Sequence, residues 1–261
     1  MAMAQLKVKI VSHKKVNGTC WCLEFYSGLI AKNASPGQFL EIKVCDNGLP
    51  LLRRPVSIHG IKGSKVKVIY EVVGEGTRIL SGRGPGEFLD IIGPLGKGFT
   101  YAAKNTGASP DILVAGGMGV APLVFLAGKM KPDKNLVLIG ARSKKQILCR
   151  SEFRNLGCKV LVATDDGSSG FKGKVTELLK EILSKQACPT GFGNIYACGP
   201  QPMLKAVAEI SGREGIPCQL SLERHMACGF GACLGCVVST KSGYKRVCKE
   251  GPVFAAEELT W

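Results

Sequence analysis

Four cysteines near the end of the chain, Cys228, Cys233, Cys236 and Cys248, form its most chemically informative pattern: C-x4-C-x2-C, then a last thiol beyond a short polar stretch. Thiolates at that spacing suit a [2Fe-2S] cluster. Three of the ligands come from one loop, and Gly229, Gly231 and Gly235 let that loop take positive φ and turn backbone N–H groups toward sulfur. The chemistry expected is transfer of single electrons. A structural zinc site is the main rival, but zinc usually recruits paired C-x2-C knuckles, whereas the first gap here holds four residues. Disulfides are a second rival, and crowded thiols without a secretory signal argue against them.

Four further motifs could hold phosphate-bearing cofactors. The run Leu51-Leu-Arg53-Arg54-Pro55-Val56-Ser57 sets two guanidinium groups and a hydroxyl at the end of a strand, where Arg54 could fork onto a phosphate. Gly74-Glu-Gly76-Thr77-Arg78 places glycines and a threonine at what reads as a helix start, an anion site for a pyrophosphate. Taken singly, each is also what a solvated strand end or a capped turn looks like. Farther on, Gly116-Gly117-Met-Gly119-Val-Ala-Pro122 follows a strand and opens a helix, so its glycines admit a dinucleotide phosphate, although it is not the G-x-G-x-x-G pattern. Cys198-Gly199-Pro200-Gln-Pro-Met203 repeats that strand-to-helix context. A thiol at the end of a parallel strand points into the ligand crevice of an open sheet, yet a lone Cys198 reads equally as core.

These groups need rigid elements beneath them. The chain has 261 residues, 45% of them hydrophobic, enough for two domains and a small extra lobe. From Lys7 to about Ile92 short alternating runs such as LKVKIVS, GQFLEIKV and KVKVIYEVV predict a small antiparallel β-barrel. From Asp111 apolar strand-like runs alternate with helical stretches, which predicts a parallel sheet with crossover helices. The fold class is thus β barrel plus α/β, with an antiparallel barrel over 1–100, an α/β nucleotide domain over 101–217, and a cluster lobe over 218–261. Tyr101–Pro110 is the expected linker. Because Cys248 follows Cys236 far sooner than in a free-standing plant-type ferredoxin, the cluster is expected in an appendage.

Composition excludes several function classes. A net charge of +15 is spread over strands and helix faces with no basic block interleaved with aromatics, so an anionic cofactor or acidic partner is expected and nucleic acid is not. No long apolar run suggests a membrane span or signal peptide, which makes the cytoplasm the expected location. Of the 12 cysteines, Cys20, Cys22, Cys45, Cys149, Cys158, Cys188 and Cys218 lie scattered and read as reduced packing residues. His13, His59 and His225 lack the paired spacing of a metal site.

In this order RPVS, GEGT, AGGMGVAPL and ACGPQPM resemble the ferredoxin–NADP reductase superfamily over nearly the whole chain. The doubled arginine, Ala163-Thr-Asp165-Asp166-Gly-Ser, and the run from Ser221 through Cys228, Cys233 and Cys236 to Cys248 and Phe254 closely resemble the electron-transfer subunits of NAD-dependent, type B dihydroorotate dehydrogenases. The resemblance implies that Arg54, Pro55, Val56, Ser57, Ile69, Tyr70, Glu71, Gly76 and Thr77 bind FAD, and that Gly116, Gly117, Gly119, Gly199 and Pro200 hold NAD. Cys228, Cys233, Cys236 and Cys248 would be the cluster ligands, and Cys198 and Glu223 would stand near the nicotinamide, although Glu223 beside Arg224 reads equally as a surface carboxylate. The implied partner is an FMN-containing catalytic subunit, two copies of each chain forming a heterotetramer. Two alternatives stay open here: a related reductase module such as a ferredoxin:NADP oxidoreductase or a sulfide or sulfite reductase subunit, and a non-enzymatic zinc-stabilised module. Arg142, Ser143, Lys144 and Lys145 could grip a 2′-phosphate or form a solvated turn, and Trp261 could cover a cofactor or pack the terminus.

Overall fold

The computed structural model describes residues 3–45, 48–101, 109–130, 135–185 and 191–261. Cys188 and residues 102–108 of the expected linker lie outside them. The first elements are β1 (Ala4–Asn17), β2 (Cys20–Tyr26), α1 (Gly28–Asn33), β3 (Phe39–Lys43), β4 (Arg54–Lys62), β5 (Lys65–Glu71), α2 (Glu75–Ser81) and β6 (Phe88–Leu95). The six strands close into an antiparallel barrel in the order β1-β2-β5-β4-β3-β6. Strand side chains alternate between faces, so Leu23, Phe25, Leu40, Ile42, Val56, Ile58, Val66 and Val68 fill the interior while the intervening residues face outward.

The second body comprises β7 (Ile112–Gly116), α3 (Val120–Ala127), β8 (Leu136–Ala141), α4 (Arg150–Asn155), β9 (Lys159–Thr164), β10 (Phe171–Lys172), α5 (Val175–Ser184), β11 (Ile195–Cys198), α6 (Gln201–Glu214) and β12 (Cys218–Ser221). Strand order is β10-β9-β8-β7-β11-β12, all parallel. The chain winds outward from β7 and then returns to β11 on its other side, which makes the gap between β7 and β11 the switch point where ligands bind in open α/β sheets. Every residue of α3 is buried. That helix packs on the sheet with one face and on β4 of the barrel with the other, so an apolar circumference is required.

The lobe adds β13 (Val237–Thr240), β14 (Gly243–Arg246) and β15 (Val253–Ala255). The sheet runs past the boundary expected at residue 218. Cys218–Ser221 is its sixth strand, and β15 closes the edge antiparallel to it, with Leu220 opposite Phe254. Cys236, Val238, Val247, Cys248 and Leu259 share a core with Leu220, Leu222 and Phe254. The cluster segment is therefore a loop and hairpin hung between two strands of the nucleotide domain, and it shares that domain's apolar core. No helix among the described residues is long and apolar enough to cross a membrane.

Candidate redox site

Of the doubled arginine, Arg53 is used internally: its guanidinium binds the Asp90 carboxylate at 2.9 Å and donates to the Asp90 carbonyl. Arg54 Nη1 donates to the carbonyls of Leu52 and Arg53, which leaves its Nε/Nη2 edge lying across Gly76 in the first turn of α2. A Cβ at Gly76 would overlap that guanidinium. The Thr77 hydroxyl caps its own turn, accepting from the N–H groups of Val73 (3.0 Å) and Gly74 (3.2 Å). A guanidinium edge above a helix N-terminus is a cradle of the charge and shape a pyrophosphate needs. β4 and β5 pair as far as Ile58 and Val68, so Arg54–Ser57 and Ile69–Glu71 emerge together at one mouth of the barrel. Val56 and Tyr70 pack in the barrel core, which leaves mainly their backbone for a ligand. Tyr70 donates its hydroxyl proton to His13 Nε2 (2.9 Å), because His13 Nδ1–H is committed to the Arg83 carbonyl.

The second cradle lies at the switch point. Gly117 adopts φ 54 and Gly199 φ 156, and the two loops touch. A Cβ on Gly116 would meet Met203 Sδ at 2.7 Å, one on Gly199 would lie 3.0 Å from Gly116 Cα, and one on Gly119 would overlap the Cys198 carbonyl. Only glycine allows the loops this close, and the opened backbone can approach a dinucleotide. Cys198 is buried, and burial together with the nearby Glu223 holds its thiol well above the usual range, so it stands as a neutral thiol and not as a nucleophilic thiolate. Glu223 reaches solvent at the rim of a cleft of about 200 Å³ that it shares with Gly199, Pro200, Arg224 and Trp261. Its walls crowd the carboxyl enough to raise its pKa. The structure brings Cys198 and Glu223 near enough for the carboxylate's charge to act on the thiol. The basic turn at Arg142–Lys145 is tied to the acidic loop, with Lys144 N–H donating to Ser168 Oγ at 2.7 Å and Ser168 donating to Asp166.

In the cluster loop, backbone N–H groups already face sulfur: Ala232 N to Cys228 Sγ at 3.3 Å, Gly235 N to Cys233 Sγ at 3.4 Å and Cys248 N to Cys236 Sγ at 3.4 Å. Although burial opposes it, donation from the backbone of Cys233, Phe230 and Ala232 brings the Cys228 thiol down to about 6. Burial and the adjoining Cys236 push Cys248 up to about 12, a cost that a bound metal would remove. Among the described residues, no three of these sulfurs lie within 4.8 Å of one another, whereas a single tetrahedral zinc would need all four within about 4 Å. Cys228 interacts with Cys233 and Cys248 with Cys236, so two irons, each taking a pair, would suit the arrangement. Leu234, at φ 59, bends the loop between Cys233 and Cys236. Arg246 straps it from outside, donating to the Gly231 carbonyl at 2.7 Å and to Glu250 at 3.0 Å.

One residue at this site escaped sequence reasoning. Glu41 lies in β3 directly opposite Pro55 and is 0% exposed. Its side chain presses on Gly229, where a Cβ would overlap it. Burial pushes its carboxyl up to about 8 against the pull of Arg53, and Cys228 adds to the rise. Alternation placed Glu41 on the outer barrel face, but nothing in its neighbours' sequence shows that the cluster loop covers that face. Exposed apolar side chains lie on both bodies that meet at this seam: Phe230, Leu234, Val237 and Tyr244 on the lobe, and Leu49, Leu51 and Leu52 between β3 and β4.

Comparison with known proteins agrees with this geometry. Residues 223–260 match the iron-sulfur cluster binding domain of dihydroorotate dehydrogenase B, and residues 113–209 match the oxidoreductase NAD-binding domain. The chain is 39% identical to the dihydroorotate dehydrogenase B (NAD(+)) electron transfer subunit of Desulforamulus reducens, covering 97% of both chains. It is 38% identical to that of Caldanaerobacter subterraneus subsp. tengcongensis, covering 98% of both. Among solved structures, NADH-dependent reduced ferredoxin–NADP oxidoreductase superposes with a TM-score of 0.83 at 30% identity, covering 97% of this chain and 90% of that one. The ferredoxin reductase of carbazole 1,9a-dioxygenase, at 19% identity and a TM-score of 0.68 over 83% of this chain and 68% of its own, shares the fold. With relatives of that name 38–39% identical over nearly the whole of both chains and the iron-sulfur domain matched over 223–260, the chain belongs to the electron transfer subunits of dihydroorotate dehydrogenase B (NAD(+)).

Proposed function

We propose that this chain is the NAD-reducing half of a dihydroorotate dehydrogenase in pyrimidine biosynthesis, taking electrons from an FMN-bearing catalytic subunit that oxidises dihydroorotate to orotate. The observation that carries this is the seam at Glu41. The cluster loop rests through Gly229 on β3, and Glu41 is the cross-strand neighbour of Pro55 in the flavin motif, so a cluster and a flavin would sit one strand apart. When bound, the cluster passes electrons singly and FAD gathers two of them for the hydride that NAD+ accepts.

The chain's own residues would do the following. Arg54, Gly76 and the backbone of Thr77 hold the FAD pyrophosphate, while Pro55, Val56, Ser57 and Ile69–Glu71 border its ring and ribityl chain. Gly116, Gly117 and Gly119 admit the NAD pyrophosphate, and Gly199 and Pro200 turn the nicotinamide toward the flavin across α3 and β4. Cys198, as a neutral thiol, and Glu223, whose raised pKa eases proton exchange, border the nicotinamide. Cys233 is the exposed ligand, so the partner docks over it, on the apolar residues around Leu234 and Leu51. Two copies of each chain form the complex. The unpaired thiols fit the reducing cytoplasm as its location.

The ferredoxin–NADP oxidoreductase likeness supports a second reading, in which the same redox chain serves another donor. Anaerobic mixing with a candidate FMN-bearing partner decides between them. Dihydroorotate-driven NAD+ reduction that requires both chains is the expected result. A flavin- and cluster-loaded protein that reduces NAD+ from another donor and never from dihydroorotate would refute the proposal.

A further inference from the structure

Outside the redox sites, His59, Cys149 and Glu152 bring an imidazole nitrogen, a thiol and a carboxylate oxygen within 4.8 Å of one another, and no other three His, Cys, Asp or Glu donors among the described residues gather so closely. They come from two domains. His59 stands on the outer face of β4, and Cys149 and Glu152 open α4 of the nucleotide domain. His59 is 1% exposed and donates from Nε2 to Glu152 at 2.7 Å, while its Nδ1 is buried with no hydrogen-bond partner. With nothing bonded at Nδ1, the ring can carry its proton there and offer Nε2, the nitrogen that faces Glu152, to a metal.

Backbone and neighbours agree. Cys149 sits at φ 57, and the other described non-glycine residue with positive φ is Leu234 of the cluster loop. Strain of this kind gathers at ligand sites. A second thiol, Cys22 on the outer face of β2, is close enough for its charge to act on Cys149 and Glu152. Lys67, also on that face, places Nζ 3.3 Å from the Glu152 carboxylate.

We propose that His59 Nε2, Cys149 and Glu152, with a water in the fourth position, form a mononuclear site for a borderline divalent metal such as zinc, which clamps the barrel to the nucleotide domain. Nitrogen, sulfur and oxygen donors in one tetrahedral set suit zinc, whereas calcium and magnesium demand oxygen throughout. Binding releases the Cys149 thiol proton. The Cys149 thiolate and the Glu152 carboxylate then balance the divalent ion, and the Lys67 ammonium stays beside the carboxylate. Lys67 becomes the outer hydrogen-bond partner that metal-bound carboxylates usually have. Glu152, 36% exposed, leaves a path in from solvent.

The test uses the FAD- and cluster-loaded protein, so that the four ferredoxin-type cysteines are occupied. Zn2+ content after dialysis and Co2+ absorbance are read in wild type, Cys149→Ser and Glu152→Gln. The result expected is one metal per chain beyond cluster iron, a thiolate-to-cobalt charge-transfer band, and binding at least about tenfold weaker in both variants at unchanged flavin and iron content. Absence of the charge-transfer band in wild type overturns the proposal without recourse to any variant. So does wild-type affinity retained in Cys149→Ser, which would leave His59 and Glu152 as a hydrogen-bonded latch between the domains.

Discussion

Replacing Gly76 with alanine should separate flavin binding from folding. Gly76 lies in the first turn of α2 without positive φ, so alanine suits its backbone, but the new Cβ would occupy the space of the Arg54 guanidinium. A flexible side chain can move where a backbone could not. The apo-protein should therefore hold its stability or gain up to about 1 kcal/mol from the better helix former. Arg54 should pay for the change, swinging off the cradle and losing a charge-assisted hydrogen bond to phosphate of about 1.5–3 kcal/mol. At 1.4 kcal/mol per tenfold, FAD binding should weaken roughly ten- to a hundredfold. Fluorescence titration of deflavinated protein measures the affinity, and urea denaturation of the same samples measures the fold. FAD affinity within twofold of wild type would show that Arg54 and α2 do not hold the pyrophosphate.

Other consequences follow from single contacts. Gly119→Ala forces a Cβ into the Cys198 carbonyl, a backbone atom that cannot swing away, so it should cost about 1–3 kcal/mol in urea denaturation and raise the NADH KM while FAD content is kept. Arg246→Ala removes the strap on Gly231, and iron should leave the purified protein faster under chelator while the far-ultraviolet circular dichroism stays unchanged. In metal-free protein Glu152, held down at about 2 chiefly by its His59 hydrogen bond, favours the fold fully above its ordinary value of 4.5 and progressively less as pH falls toward 2. Glu152→Gln should flatten the loss of the urea midpoint across that window, and an unchanged slope would count against the pairing.

The parts legible from sequence are those where chemistry and local pattern coincide. Alternating runs gave the barrel, alternating textures gave the parallel sheet, and the thiol spacing singled out the cluster loop before any fold was known. β12 and β15 were missed as partners because strands of four and three residues carry little periodicity, and their pairing joins segments separated by the whole lobe. Thr77 was recognised as part of the flavin motif, but its hydroxyl is spent on its own turn, a local competition that spacing does not reveal. His59 looked isolated because its neighbours Cys149 and Glu152 arrive from another domain, 93 positions away in the case of Glu152. Glu41 illustrates the same limit: which outer face of a barrel is covered depends on a loop nearly two hundred residues downstream.

The central claim is that electrons reach the flavin through the four-cysteine loop. The direct measurement is anaerobic dihydroorotate-driven NAD+ reduction by the reconstituted two-subunit enzyme, comparing wild type with Cys233→Ala, with FAD and iron quantified in each sample and NADH-driven flavin reduction assayed alongside. The relay predicts that Cys233→Ala loses cluster absorbance and dihydroorotate-driven turnover while its FAD is still reduced by NADH. Dihydroorotate-driven NAD+ reduction persisting at the wild-type rate in a cluster-free variant would contradict it.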